Sequence, residues 1–202
     1  AYMKELTQSP ERLKLGGETR ELTVMFTDIR KFSTISETMT PEELIQTMND
    51  FLTPMTNCAM EWRGTIDKYI GDAMMAFWNA PLDDPQHAFH ACRAALAMEA
   101  GLAPVNEKLR RRATENGEGE PIPLRAGIGL HTGHAFVGNM GSNQRFDYSA
   151  LGDSVNLAER LEGQTKTYGV NILISEDTYH KAGGGEALAV AELDLVRVVG
   201  RS

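Results

Sequence analysis

The stretch T-I-D-K-Y-I-G-D-A-M-M-A-F-W, residues 65–78, decides the fold. Two apolar-rich runs, 65–70 and 73–78, flank the two residues Gly71-Asp72. A short turn containing glycine between two such runs is typical of a β-hairpin. The sequence therefore predicts two antiparallel strands with Asp72 in the turn that joins them.

A further strand is predicted upstream, where apolar residues alternate with polar ones up to Asp28. A long helical pattern lies between this strand and the hairpin. A right-handed crossover makes the first two strands parallel and lets the third fit between them. We therefore expect Asp28 and Asp72 to meet at one edge of a single sheet.

Two ionised carboxylates at one place repel each other unless divalent cations lie between them. The segment after Asp28 leads toward a helix, and its backbone N–H groups can face an anion; Phe32 and Ser33 are the candidate contacts. Carboxylates that bind Mg²⁺ beside such a turn predict a site for a nucleotide triphosphate.

The other patterns predict an α+β sandwich, a ferredoxin-like and antiparallel-rich sheet with helices packed on one face. Thr40, Pro41 and Glu43 form a capping box that begins the first long helix. Further helices are predicted from 84–85 onward and over 153–161 and 176–181, and strands over 122–130, 134–138 and 170–174 and near Leu188 and Val196. The turn between 122–130 and 134–138 is placed at Thr132-Gly133.

The whole chain limits the function classes. Its 202 residues favour one domain, and the net charge of −8 argues against a nucleic-acid surface. Two cysteines favour a reducing compartment, so a cytoplasmic location is expected. No apolar run reaches the ~20 residues of a membrane span, and no direct membrane contact is expected. Residues 1–15 are expected to end an upstream linker or helix, and 16–202 to form the domain, with its last strand truncated.

A second group of candidate residues lies in a predicted helix. Asn156 and Arg160 are four positions apart and share a face. An amide that positions an oxygen and a guanidinium that neutralises charge suit a phosphoryl transition state. Spacing alone favours the simpler interpretation, a solvated helix face with Arg160 paired to Glu159 or Asp153.

Other candidates have simpler interpretations. The pairs His87/His90 and His131/His134 lack a third metal ligand in the sequence and are interpreted as surface or core residues. Gly127, Gly129 and Gly133 have the wrong spacing for a dinucleotide fingerprint.

Three longer motifs carry a family resemblance: F-T-D-I-R-K-F at 26–32, D-K-Y-I-G-D at 67–72 and G-D-S-V-N-L-A-E-R at 152–160. They resemble the catalytic motifs of class III nucleotidyl cyclases. The similarity is greatest to bacterial adenylyl cyclases of the subclass related to bicarbonate-responsive soluble enzymes. It extends in order over nearly the whole chain. The resemblance implies the cyclase fold and conversion of ATP to 3′,5′-cyclic AMP and pyrophosphate.

The resemblance also implies roles by position. Two Mg²⁺ or Mn²⁺ ions per site are expected, and the family works as a head-to-tail homodimer in which each site takes its metals from one chain and its other groups from the partner. Bicarbonate regulation is an expectation from the subclass. The implied residues are Asp28, Asp72 and the Ile29 carbonyl for the metals, Lys68 and Ser149 for the base, Asn156 and Arg160 for the transition state, and Arg201 for the triphosphate.

Three departures from the family pattern stand out. Lys31 occupies a position where the family often has glycine, so it is strained if that turn needs positive φ, or else its charge helps to hold the triphosphate. Ser149 replaces the more usual Asp or Thr, and its hydroxyl can still accept a hydrogen bond. The chain also stops before the strand that normally follows the region of Arg201.

Two alternatives remain at this point. A guanylyl cyclase is disfavoured because guanine presents N1–H and O6, whereas a lysine donor and a hydroxyl acceptor match adenine N1 and its amino group. An inactive nucleotide-binding or dimerisation module is disfavoured because all six catalytic positions are filled, namely Asp28, Asp72, Lys68, Ser149, Asn156 and Arg160.

Overall fold

The computed structural model describes residues 16–142 and 144–193, which form one mixed sheet with helices packed on it. The strands are β1 (Gly16–Ile29), β2 (Thr65–Ile70), β3 (Ala73–Trp78), β4 (Ala126–Gly141), β5 (Phe146–Leu151) and β6 (Ile172–Ile174). The helices are α1 (Phe32–Ser36), α2 (Pro41–Glu61), α3 (His87–Asn116), α4 (Asp153–Tyr168) and α5 (Glu176–Lys181).

The sheet has the strand order β2-β3-β1-β4-β5, and β6 pairs in parallel with β4. The predicted hairpin is confirmed: β2 and β3 are antiparallel, and β3 lies between β2 and β1. The predicted capping box is also confirmed, since Thr40 and Glu43 exchange hydrogen bonds at the start of α2. The α+β sheet architecture therefore agrees with the expectation from sequence.

One predicted turn is wrong. The sequence placed a turn at Thr132-Gly133, but β4 runs straight through these residues, with Thr132 paired to Thr23 and Gly133 to Leu22 of β1. Glycine is required at position 133 for a different reason, since a Cβ there would lie 2.5 Å from the Oγ of Ser154 in α4. The glycine marks the close approach of a helix and not a change of chain direction.

The helices cover both faces of the sheet, so the expectation of one covered face is also wrong. On one face, Met25 and Ile128 pack with residues of α2 and α3 such as Phe51 and Met98. On the other, Val24 and its neighbours pack with Val155 and Ala158 of α4. Successive residues of β1 point to opposite faces, and both sets are buried, which is why this strand carries so few exposed positions.

Smaller differences concern the ends of elements. Helix α3 begins at His87 instead of Asp84, and α4 extends to Tyr168, well beyond the predicted end. No strand forms at Leu188; this residue follows a 3₁₀ turn and is buried in the core beside α2 and α3. Val196, the other predicted closing strand, lies outside the described residues.

In the described part of the chain, every helix is too short or too polar to cross a membrane. Both cysteines, Cys58 and Cys92, are unpaired. Burial raises the pKa of the Cys92 thiol to about 12, so this side chain stays protonated within the core.

Candidate active site

Asp28 and Asp72 meet at the edge of the sheet where β1 ends and β2 turns into β3, as the sequence predicted. Asp28 is near the end of β1, opposite Gly127 of β4, and Asp72 occupies the turn between β2 and β3. Burial, the hydrogen bond that protonated Asp72 donates to Asp28 and the negative charge of Asp28 together raise the pKa of Asp72 to about 7. The backbone amides of Asp72 and Ile29 oppose this shift without cancelling it. We refer to these two residues as the aspartate pair.

The aspartate pair fits a hard divalent cation. In the described residues there is no group of three or more His, Cys, Asp or Glu side chains that could hold a metal. Mg²⁺ is commonly bound in proteins by one or two carboxylates, with substrate phosphates and water completing its shell. A cation between Asp28 and Asp72 would also relieve the repulsion that raises the pKa of Asp72. Their roles as ligands, and that of the Ile29 carbonyl, stay predictions.

Two side chains of α4 that the sequence did not single out lie beside the aspartate pair. The ammonium of Lys166 is 3.7 Å from the carboxylate of Asp28. Burial and the charge of Asp28 raise the pKa of Glu162, whose Oε1 is buried. Glu162 and Lys166 are four positions apart on one helix face, and only the fold shows that this face points toward Asp28.

The turn after β1 has the geometry that makes Lys31 unusual. Lys31 is the N-cap of α1 with φ of 56°, in the left-handed region that favours glycine. Phe32 packs against the core and Ser33 is exposed. The backbone N–H of Arg30 donates to the carbonyl of Arg125 at 2.8 Å, so this amide is already used. An anion-binding role for Phe32 and Ser33 stays a prediction.

A cluster of polar side chains joins the two outer strands of the sheet, β2 and β5. Lys68 on β2 donates from Nζ to the Oγ of Ser149 on β5, at 3.0 Å and across 81 residues of sequence. The strands β2 and β5 are at opposite ends of the strand order, so the sheet must curl for them to touch. Asp67 completes the contact, and we call Asp67, Lys68 and Ser149 the edge cluster. The structure thus brings together the two residues predicted to read the base.

Asp67 is the member of the edge cluster that the sequence did not identify. Strand alternation would place Asp67 and Lys68 on opposite faces of the sheet. A β-bulge between Ile66 and Lys68 shifts the register of β2 against β3. Bulges redirect side chains, and here both residues reach Ser149. The bulge is not visible as a pattern in the sequence.

Asn156 and Arg160 lie on α4, and both are exposed. The buried residues of this helix, such as Val155 and Ala158, face the sheet. The two predicted transition-state residues are therefore directed away from their own core, where a second chain can reach them. Arg201 lies outside the described residues.

The position of α4 is set by glycines of β4. A Cβ on Gly129 would lie 2.1 Å from the backbone N of Glu162 and 2.5 Å from the carbonyl O of Ala158. A Cβ on Gly127 would lie 2.3 Å from the Oε1 of Glu162. These glycines, rejected as a dinucleotide motif, allow the helix that carries Asn156 and Arg160 to lie against the strand.

Two of the curated proteins that this chain resembles are adenylate cyclases. Adenylate cyclase 1 of Rhizobium meliloti (strain 1021) is 42% identical over 156 residues, which is 77% of this chain and 22% of the relative. The adenylate cyclase of Anabaena cylindrica is 36% identical over 196 residues, or 96% of this chain and 38% of the relative. The chain thus spans between about a fifth and two fifths of these relatives.

Solved structures of both nucleotide specificities resemble the fold. The guanylyl cyclase Cya2 superimposes with a TM-score of 0.81 at 32% identity, over 93% of this chain and 89% of that one. The adenylyl cyclase CyaB from P. aeruginosa has a TM-score of 0.73 at 34% identity, over 83% and 82% of the two chains. The family model described as the adenylate and guanylate cyclase catalytic domain matches residues 17–202. This chain belongs to the family of class III adenylate and guanylate cyclase catalytic domains.

Proposed function

We propose that this domain converts ATP to 3′,5′-cyclic AMP and pyrophosphate in the cytoplasm. The observation that carries the proposal is the contact between Lys68 and Ser149, 3.0 Å apart in the edge cluster. A lysine ammonium can only donate, and it suits N1 of adenine, which accepts. A serine hydroxyl can accept from the adenine amino group. Guanine reverses both groups, and a mismatched buried polar edge costs ~1–3 kcal/mol.

The reaction forms a bond between the ribose O3′ and the α-phosphorus and breaks the bond from that phosphorus to the bridging oxygen of the leaving pyrophosphate. The proton of the 3′-hydroxyl passes to solvent. Asp28, Asp72 and the Ile29 carbonyl would hold two Mg²⁺ or Mn²⁺ ions, which would supply activation of that hydroxyl and charge neutralisation on the leaving group. Asn156 orients the ribose, and Arg160 stabilises the charge that develops on the α-phosphate.

We propose that each site is shared between two chains of a homodimer. The exposure of Asn156 and Arg160 on α4 supports this arrangement, since catalytic groups directed away from their own core need a partner to complete a closed site. The aspartate pair of one chain then acts with Asn156 and Arg160 of the other. Positioning and electrostatics account for catalysis without a covalent intermediate.

The direct test is turnover of radiolabelled ATP and GTP by the purified protein with Mn²⁺. We expect cyclic AMP as the main product, with ATP favoured by one to two orders of magnitude as the base mismatch dictates. Preferred turnover of GTP would contradict the base assignment and favour a guanylyl cyclase. Tight nucleotide binding without either product would favour an inactive binding module.

Bicarbonate stimulation is a finer proposal that rests on the subclass resemblance and on a hydroxyl at Ser149 in place of Asp. It predicts a rise in turnover on addition of sodium bicarbonate at fixed pH and ionic strength. An equal rise with matched sodium chloride would rule it out.

A further inference from the structure

Asp67 is held in an unusual setting for a strand carboxylate. Its side chain is fully buried, although it is next to the half-exposed side chain of Lys68. Three donors converge on it: the Oγ of Ser149 at 2.8 Å, the backbone N–H of Ala150 at 3.0 Å and the ammonium of Lys68 at 3.1 Å. Asp67 therefore links β2 to β5 through acceptor atoms alone.

The neighbours of Ser149 fix the direction of its hydroxyl. An ionised carboxylate can only accept, so the proton in the contact with Asp67 belongs to Ser149. An ammonium can only donate, so the Ser149 oxygen accepts from Lys68. A hydroxyl between an acceptor-only group and a donor-only group has one consistent orientation. Ser149 directs its proton toward Asp67, accepts from Lys68 with one lone pair and keeps the other as an acceptor for the ligand.

We infer that Asp67 is a positioning residue that determines base selectivity by keeping Ser149 an acceptor. The inference rests on the proposed function, and it adds a residue that controls which base the site accepts. An acceptor at Ser149 matches the amino group of adenine. To bind O6 of guanine, Ser149 would have to donate outward and so remove one of the donors from the buried Asp67 carboxylate. Asp67 thus rejects guanine without touching the nucleotide.

The substitution Asp67→Asn tests this inference with almost no change of shape. The Asn oxygen can keep the bonds from the Ala150 amide at 3.0 Å and from Ser149 at 2.8 Å. Its NH₂ group takes the other position, 3.0 Å from the Ser149 Oγ and 3.1 Å from the Lys68 ammonium, where it can donate to Ser149 and no longer accepts from Lys68. A donor then faces the Ser149 oxygen, so the hydroxyl proton is no longer confined to the side of residue 67 and can turn outward. We expect the ratio of kcat/KM for ATP to that for GTP to fall by about tenfold, within the range for one mismatched buried hydrogen bond. Asp67→Glu keeps an acceptor-only group and is expected to retain the preference for ATP.

The substitution Ser149→Ala provides the matched background. If Asp67 acts through the hydroxyl, Asp67→Asn has no further effect on the ratio once Ser149 is alanine. A loss of activity that is equal for both nucleotides, or the same change of ratio in both backgrounds, would overturn the inference. If Asp67→Asn does not fold, Asp67→Gln compared with Asp67→Glu tests the same exchange at equal length.

A binding measurement separates this inference from the proposed function. Dissociation constants of non-cyclisable ATP and GTP analogues give the same selectivity ratio without any turnover. One outcome is that the wild type forms no cyclic AMP but prefers the ATP analogue, and that Asp67→Asn loses this preference. That outcome would contradict the proposed activity and support the role of Asp67. An active wild type with an unchanged ratio in the variant would do the reverse.

Discussion

Replacement of Gly129 by alanine should displace the helix that carries the proposed transition-state residues. The added Cβ would lie 2.1 Å from the backbone N of Glu162 and 2.5 Å from the carbonyl O of Ala158. Both atoms belong to the backbone of α4, so no change of rotamer relieves the overlap. The helix must move away by roughly 1 Å or more to reach an ordinary contact distance.

The expected effect has two parts. Overpacking of this kind destabilises by about 1–3 kcal/mol, which lowers Tm by about 2–12 °C for a domain of this size. A shift of ~1 Å misaligns Asn156 and Arg160, which are proposed to contact the ribose and the α-phosphate, and misplacement of that size can lower turnover about 100-fold. Turnover should therefore fall far more than the loss of folded protein explains.

Gly101→Ala is the matched control. Gly101 lies in α3, on the opposite face of the sheet from α4, and a Cβ there would meet no heavy atom within 4 Å. Alanine in a helix interior is more stable than glycine by about 0.5–1 kcal/mol, so Tm should rise slightly with turnover retained. Thermal unfolding and ATP turnover of both variants decide the matter. A Gly129→Ala protein with the wild-type Tm and turnover would refute the reasoning.

Three further predictions concern the site. Asp28→Ala and Arg160→Ala should each be nearly inactive, but a mixture allowed to exchange should recover up to about a quarter of wild-type turnover, since half the dimers are mixed and each has one intact site; no recovery despite confirmed heterodimers would mean that one chain supplies both groups. Lys31→Gly should raise Tm by about 1–4 °C, because φ of 56° strains lysine; a fall in Tm would contradict this. The pKa of Asp72 is near 3.8 in the unfolded chain and about 7 in the folded protein, so between these pH values the folded protein holds a proton that the unfolded chain has lost. The stability of the metal-free protein should therefore fall as pH rises through this window. In EDTA, Tm should fall less steeply with pH for Asp72→Asn than for the wild type, and equal slopes of Tm against pH would exclude Asp72 as the cause.

Features of short range in sequence could be predicted from it. The hairpin around Gly71 and the capping box at Thr40 depend on a few adjacent residues, and both are confirmed. The meeting of Asp28 and Asp72 followed from the crossover rule, which needs only the order of the elements.

Features that depend on packing could not be predicted from the sequence. Gly133 has the same appearance in a turn as beneath a helix, and only the contact with Ser154 distinguishes the two cases. The bulge that brings Asp67 to Ser149 depends on how β2 lies against β3, which no local pattern encodes. The face of the sheet on which each helix packs also depends on the whole sheet. Because β1 is apolar on both faces, its sequence does not indicate which face each helix covers.

If Lys68 and Ser149 read the base as proposed, the bond between them separates selectivity from affinity. In the structure Lys68 donates to Ser149. A matching base exchanges that bond for two of its own and releases the water that solvated its edge, so its net gain from the edge is small. Most of the affinity must then come from the triphosphate and its cations. The base edge acts mainly by exclusion, since a wrong base breaks the internal bond and replaces it with nothing.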